Sequence, residues 1–153
     1  HSDLRRQRQM CIRDSVKRAS NIFESVIVAV ASNTQKNTLF SYDERYDMCR
    51  KVLSKYKNVD VIKLDKLTVE HAKELEAKVM LRGLRAVSDF EYEVQLSNLN
   101  RAMNPGIESI FLSPDEKYSF ISSSIIKDIA RHNGELKMFV DDYVEKKLRE
   151  KVN

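Results

Sequence analysis

The chain has 153 residues, of which 42% are apolar and 33% charged, and it contains only two prolines. This composition is typical of one globular domain and excludes a disordered tail or a disulfide-stabilised mini-protein. The net charge of +4 lies in residues 1–18, which hold six basic and two acidic groups, whereas the remaining chain has 21 of each. Because the body carries no basic field, we expect no nucleic-acid partner.

The sequence shows no signal for a membrane or for export. No segment reaches the roughly eighteen consecutive apolar residues of a membrane helix, and the N-terminus lacks the apolar core of a secretion signal. We therefore expect a cytoplasmic protein without a membrane partner. The two cysteines, Cys11 and Cys49, have no partner at metal-ligand spacing and are predicted to be reduced thiols.

The first predicted elements are a strand, a helix and a second strand. The continuous apolar run at 26–31 predicts a strand covered on both faces in a parallel sheet. Ser41 and Glu44 have the spacing of a capping box, which predicts a helix reaching about Tyr56. A short strand is predicted over 59–62.

The middle of the chain continues the alternation. An amphipathic helix is predicted over 68–77 and a strand over 77–81, followed by a turn over 82–85. A helix over 89–103 and a strand over 107–112 come next. Four residues with the spacing of a buried face are expected in the core: Met48, Met80, Phe90 and Met103.

Two further helices complete the pattern. Ser122–Ser124 precede the first of them, Gly134 is predicted to cap its end, and Asp141 opens the second. The alternation of strands and helices predicts an α/β fold in which a parallel sheet has helices on both faces. Ligands of such sheets bind at the carboxyl ends of the strands.

Three segments at predicted strand ends carry groups that bind anions. Lys36 offers a mobile charge to a phosphate, with a solvated loop lysine as the alternative. Residues 82–85 place two guanidinium groups beside a glycine N–H, with a structural turn as the alternative. Ser122–Ser124 offer hydroxyls and backbone N–H groups at a helix start, with a plain N-cap as the alternative for one of the three serines. Since no catalytic nucleophile accompanies them, these residues favour nucleotidyl transfer from ATP, in which the catalyst aligns phosphates and neutralises charge.

Two long motifs in the chain resemble those of one known family. The stretch from Leu81 to Glu93, LRGLRAVSDFEYE, and the stretch from Tyr118 to Ser124, YSFISSS, resemble the bacterial pantetheine-phosphate adenylyltransferases, and the resemblance extends from about Val16 to the C-terminus. It implies a Rossmann-like nucleotidylyltransferase that transfers AMP from ATP to 4′-phosphopantetheine with Mg²⁺. The products would be dephospho-coenzyme A and pyrophosphate, in coenzyme A biosynthesis.

The resemblance also implies roles for individual residues. Lys36 and Arg82 would hold the phosphate of phosphopantetheine, and Thr68 would lie along its arm. Lys36 and Arg85 are the candidate catalytic groups. The ATP side would be formed by Gly83, Leu84, Arg85, Glu93, Tyr118, Ser119, Phe120, Ile121, Ser122, Ser123 and Ser124. Family members are typically homohexamers, so the same assembly is expected.

The N-terminal segment departs from the family. The family begins with a strand that leads into Gly-Thr-Phe-Asp-Pro and then Gly-His, whereas Cys11 and Ile12 stand at the Gly-His positions and Leu4 at the threonine. We interpret residues 1–14 as a foreign arm, and 15–153 as a nucleotidylyltransferase-like domain whose first strand is missing or replaced. Two other hypotheses stay open: a noncatalytic nucleotide- or phosphopantetheine-binding module, and a nucleic-acid binder that uses the basic arm.

Overall fold

A computed structural model describes residues 8–32, 38–84, 87–113, 115 and 122–152. Within these ranges the chain forms six helices and four strands. In chain order they are α1 (Arg8–Ile22), β1 (Val26–Ala31), α2 (Tyr42–Leu53), β2 (Val59–Leu64), α3 (Thr68–Glu74), β3 (Val79–Gly83), α4 (Val87–Met103), β4 (Glu108–Leu112), α5 (Ser123–Arg131) and α6 (Asp142–Val152). The chain divides into a first unit, His1–Lys63 with Asp115–Asn153, and a second unit, Leu64–Pro114.

The first unit contains the β1–β2 sheet and a helical core. The buried side chains of that core come from α2, α5, α6 and the α5–α6 connection: Met48, Ile126, Ala130, Leu136, Val140, Val144 and Leu148. Helix α1 packs against β1 and buries Val16 and Ala19, which are three residues apart on one helix face.

The second unit contains a parallel pair of strands. Strand β3 pairs with β4 from Val79 opposite Glu108 to Gly83 opposite Leu112. The buried side chains Val69, Ala72, Met80 and Ile107 form its core. In this unit, residues of α3 and α4 lie beside Arg82, near the carboxyl end of β3, where the candidate site lies.

The predicted α/β class is confirmed, and each of the four predicted strands and five predicted helices has a counterpart in the structure. The capping box is also confirmed, because the Ser41 hydroxyl accepts from the Glu44 N–H at 3.2 Å and Glu44 accepts from the Ser41 N–H at 2.7 Å. Helix α1 is an addition that the sequence analysis did not predict. No helix in the described part of the chain is long and apolar enough to span a bilayer.

Two strand predictions are corrected. Arg82 and Gly83 are not in a turn, because pairing with β4 continues to Leu112 and the Leu84 N–H donates to the Leu112 carbonyl at 2.9 Å. Strand β1 was expected to be covered on both faces, whereas Ile27 is 40% exposed and Val30 only 8%. A continuous apolar run does not by itself determine how many layers cover a strand.

Two helix predictions are also corrected. Phe90 and Met103 were expected in the core but are 51% and 47% exposed, because helical spacing shows which residues share a face and not whether another element covers it. At the end of α5, the left-handed residue is Asn133, with φ 54°, and not Gly134. Asparagine tolerates this conformation better than most residues with a side chain.

Candidate functional site

A groove of about 110 Å³ lies in the second unit between α3, β3 and α4. Its lining combines two residues that the sequence analysis assigned to the acceptor substrate, Thr68 and Arg82, with apolar side chains and one amide. The remaining lining residues are Leu67, Val69, Met80, Leu96, Leu99, Asn100 and Met103. A few polar groups among mostly apolar side chains are typical of small-molecule sites.

Each side of the groove follows from local sequence. Thr68 is the first residue of α3, and Arg82 lies two residues after the buried Met80, on the same face of β3. The α4 side consists of residues 96, 99, 100 and 103, whose spacing of three, four and seven places them on one helix face. The strand end thus supplies the cation, and α4 supplies an apolar wall.

Arg82 is held by an ion pair with Glu93 of α4. The Arg82 Nε donates to Glu93 Oε2 at 2.7 Å, and its Nη2 donates to Oε1 at 3.0 Å. The two side chains are 33% and 13% exposed. A two-point pair of this kind fixes the plane of the guanidinium as well as its position.

Asn100 is the polar residue of the groove that the sequence analysis did not predict. It is 8% exposed and is the buried polar residue among the described parts of the chain. The signal for it in the sequence is a polar residue four positions after Leu96 and three positions before Met103. The other α4 residues that line the groove are apolar. Asn100 therefore places a polar side chain on the α4 side of the groove.

The serine cluster lies in the first unit, at the start of α5. The Ser122 hydroxyl accepts from the Ile125 N–H at 3.1 Å and caps the helix. The Ser123 hydroxyl is buried. It has no hydrogen-bond partner, as donor or as acceptor, in the part of the chain that the structure describes. One serine therefore acts as a plain cap, as the alternative interpretation held, and the others are not needed for capping.

A comparison with protein families gives the class of the chain. The family model described as cytidylyltransferase-like matches residues 13–129, which include the whole second unit with its groove and a part of the first unit. The chain belongs to this family. Membership places it in the nucleotidyltransferase superfamily, supports nucleotidyl transfer as its reaction class, and agrees with a Rossmann-like arrangement of short parallel strands flanked by helices.

Several predicted site residues of this cytidylyltransferase-like protein lie outside the described residues. They are Lys36, Arg85, Tyr118, Ser119, Phe120 and Ile121. Among those described, Thr68 and Arg82 share the groove and Arg82 pairs with Glu93, whereas Ser122–Ser124 belong to the other unit. Gly83 ends β3 with open space where a Cβ would stand. Within the described ranges, no three acidic, histidine or cysteine side chains are grouped closely enough to hold a metal ion.

Proposed function

We propose that the protein transfers AMP from ATP to 4′-phosphopantetheine. A phosphate oxygen of phosphopantetheine attacks the α-phosphorus of ATP, the bond from that phosphorus to the leaving pyrophosphate breaks, and dephospho-coenzyme A forms. The observation that carries the proposal is the groove of the second unit, in which Thr68 and Arg82 lie together. The resemblance of the sequence assigns both residues to this acceptor.

The chemistry of the groove suits this acceptor. The guanidinium of Arg82 offers a fork of N–H groups to the phosphate. Thr68 and Asn100 offer a hydroxyl and an amide to the peptide-like bonds of the pantetheine arm, and Leu96, Leu99 and Met103 offer an apolar wall to its dimethyl group.

The ATP side of the proposal rests on the remaining motif residues. Gly83, Leu84 and Arg85, together with the stretch 118–124, are proposed to contact ATP as the resemblance implies, and Lys36 and Arg85 to stabilise charge as the α-phosphate is transferred. Mg²⁺, usually held by substrate phosphates and one or two carboxylates, would neutralise charge on the departing pyrophosphate.

A noncatalytic phosphopantetheine-binding module is the second candidate. Helix α1 includes Cys11 and Ile12, the residues at the positions of the family's Gly-His motif. An isoleucine side chain has no hydrogen-bond donor, and loss of one donor to a transition-state oxygen costs on the order of 10²- to 10³-fold in rate. Binding without transfer is the result that this candidate predicts.

Release of pyrophosphate with ATP and 4′-phosphopantetheine tests the proposal, with dephospho-coenzyme A identified by mass spectrometry. Arg82→Gln is expected to raise KM for phosphopantetheine by on the order of tenfold and to leave KM for ATP nearly unchanged. Arg101→Gln is the matched control, since Arg101 is an exposed arginine of α4 that pairs with Glu108 at 2.8 Å. Binding of phosphopantetheine without pyrophosphate release would favour the second candidate, and absence of binding would contradict both.

A further inference from the structure

The Arg82–Glu93 pair uses one edge of the guanidinium. A guanidinium presents two forks, one from Nε with one terminal nitrogen and one from the two terminal nitrogens. Glu93 accepts from the first fork, through Nε and Nη2. The second fork has the geometry that a phosphate accepts from, so Arg82 can bind a carboxylate and a phosphate at the same time.

We propose that Glu93 is a positioning residue for the acceptor's phosphate, acting through Arg82. This inference rests on the proposed function, because it concerns how the groove recognises 4′-phosphopantetheine. It differs from the ATP contact that the sequence resemblance implies for Glu93. The ion pair supports it because Glu93 is 13% exposed and its two carboxylate oxygens accept from the Arg82 side chain that lines the groove.

Two effects of Glu93 on phosphate binding have opposite signs. The carboxylate aligns the guanidinium in advance, which lowers the entropy cost of ordering a long side chain upon binding. Its negative charge also repels the incoming phosphate. Glu93→Asp keeps the charge but shortens the side chain, so that alignment is lost and repulsion stays. Glu93→Gln keeps the length but removes the charge and one of the two acceptor oxygens, so that loss of alignment is partly offset by loss of repulsion.

Calorimetric binding of 4′-phosphopantetheine and of pantetheine, which lacks the phosphate, tests the inference. Glu93→Asp is expected to weaken phosphopantetheine binding by about tenfold, Glu93→Gln by less, and neither to change pantetheine or ATP binding more than about twofold. In an Arg82→Gln background, Glu93→Asp is expected to have no further effect, because its action passes through Arg82. Glu91→Asp, an exposed neighbour on α4, is the control.

Four outcomes would overturn the inference. Tighter phosphopantetheine binding in Glu93→Gln, with Glu93→Asp unchanged, would make Glu93 a competing charge. If the Glu93 variants weaken only the binding of ATP, Glu93 is an ATP contact. If they weaken the binding of all ligands equally and also lower the melting temperature, Glu93 has a structural role. If the unmodified protein binds no phosphopantetheine, the proposed function fails and the inference fails with it. Binding of phosphopantetheine to the unmodified protein thus distinguishes failure of the proposed function from failure of the inference alone.

Discussion

Gly134 follows the end of α5 at a position with no space for a side chain. A Cβ there would lie 2.7 Å from Ile129 Cγ2 and 3.2 Å from the Ile129 carbonyl oxygen. The Gly134 N–H donates to that carbonyl at 2.8 Å, and Arg149 donates to the Gly134 carbonyl at 2.7 Å. Both the N–H and the carbonyl of Gly134 are therefore hydrogen-bonded, which restrains a shift of the chain away from Ile129.

We expect Gly134→Ala to lower the free energy of unfolding by about 1–3 kcal/mol, because the new methyl group overlaps Ile129. The measurement is urea denaturation followed by circular dichroism. Gly106→Ala is the control, since a Cβ there meets only Asn104 Oδ1 at an ordinary 3.5 Å. An equal loss of stability in both variants would show that steric overlap is not the cause.

At the residue scale, the resemblance implied candidate residues for the acceptor but not how they contact one another. Thr68 and Arg82 were both named from this resemblance, and the structure places them in one groove. The pairing of Arg82 with Glu93 was not predicted, since it depends on how α4 packs beside β3. Asn100 was missed because one polar residue on an apolar helix face is a weak signal without knowledge of what lies opposite.

The N-terminus of α2 is tied to the C-terminal helix α6. Glu44 completes the capping box of α2 and also accepts from Lys151 Nζ at 2.9 Å. The hydrogen bond from Lys151, and after it the one from the Ser41 N–H, hold the pKa of Glu44 below its usual value of 4.5. The ionised carboxylate therefore stabilises the folded state above pH 4.5, and this contribution is lost as the pH falls through the lower folded-state pKa.

Glu44→Gln is therefore expected to lower the urea midpoint above pH 4.5. The difference in midpoint between this variant and the unmodified protein is expected to shrink as the pH falls below 4.5, because Glu44 then becomes protonated. Midpoints measured over a pH series check this. Glu24→Gln, in the loop between α1 and β1, serves as the control for removing an exposed carboxylate. A difference that stays constant at low pH would contradict the role assigned to the ionised Glu44.

At the element scale, local signals predicted most elements, and tertiary packing decided the others. The capping box is a local signal, and α2 begins where it predicts. Helix α1 was missed because its polar, arginine-rich sequence has few apolar residues, and Val16 and Ala19 are buried through tertiary packing. The extension of β3 to Gly83 likewise depends on a partner strand distant in sequence.

At the scale of the whole molecule, alternating strands and helices predicted the α/β class, and the family match to residues 13–129 agrees with it. The division into two compact units was not predicted, because no linker, repeat or change in composition marks it. The interpretation of residues 1–14 as a foreign arm and the expected homohexamer stay predictions. Nucleotidyl transfer is supported by the family, whereas the acceptor substrate is proposed from the groove.

A crystal structure of the protein with 4′-phosphopantetheine tests the central claim most directly. We expect the pantetheine arm to lie along α4 beside Asn100 and Leu99, with Thr68 at its side and the phosphate on the terminal nitrogens of Arg82, while Glu93 still accepts from Nε. Ligand density elsewhere on the molecule, with the groove of the second unit empty, would contradict the account.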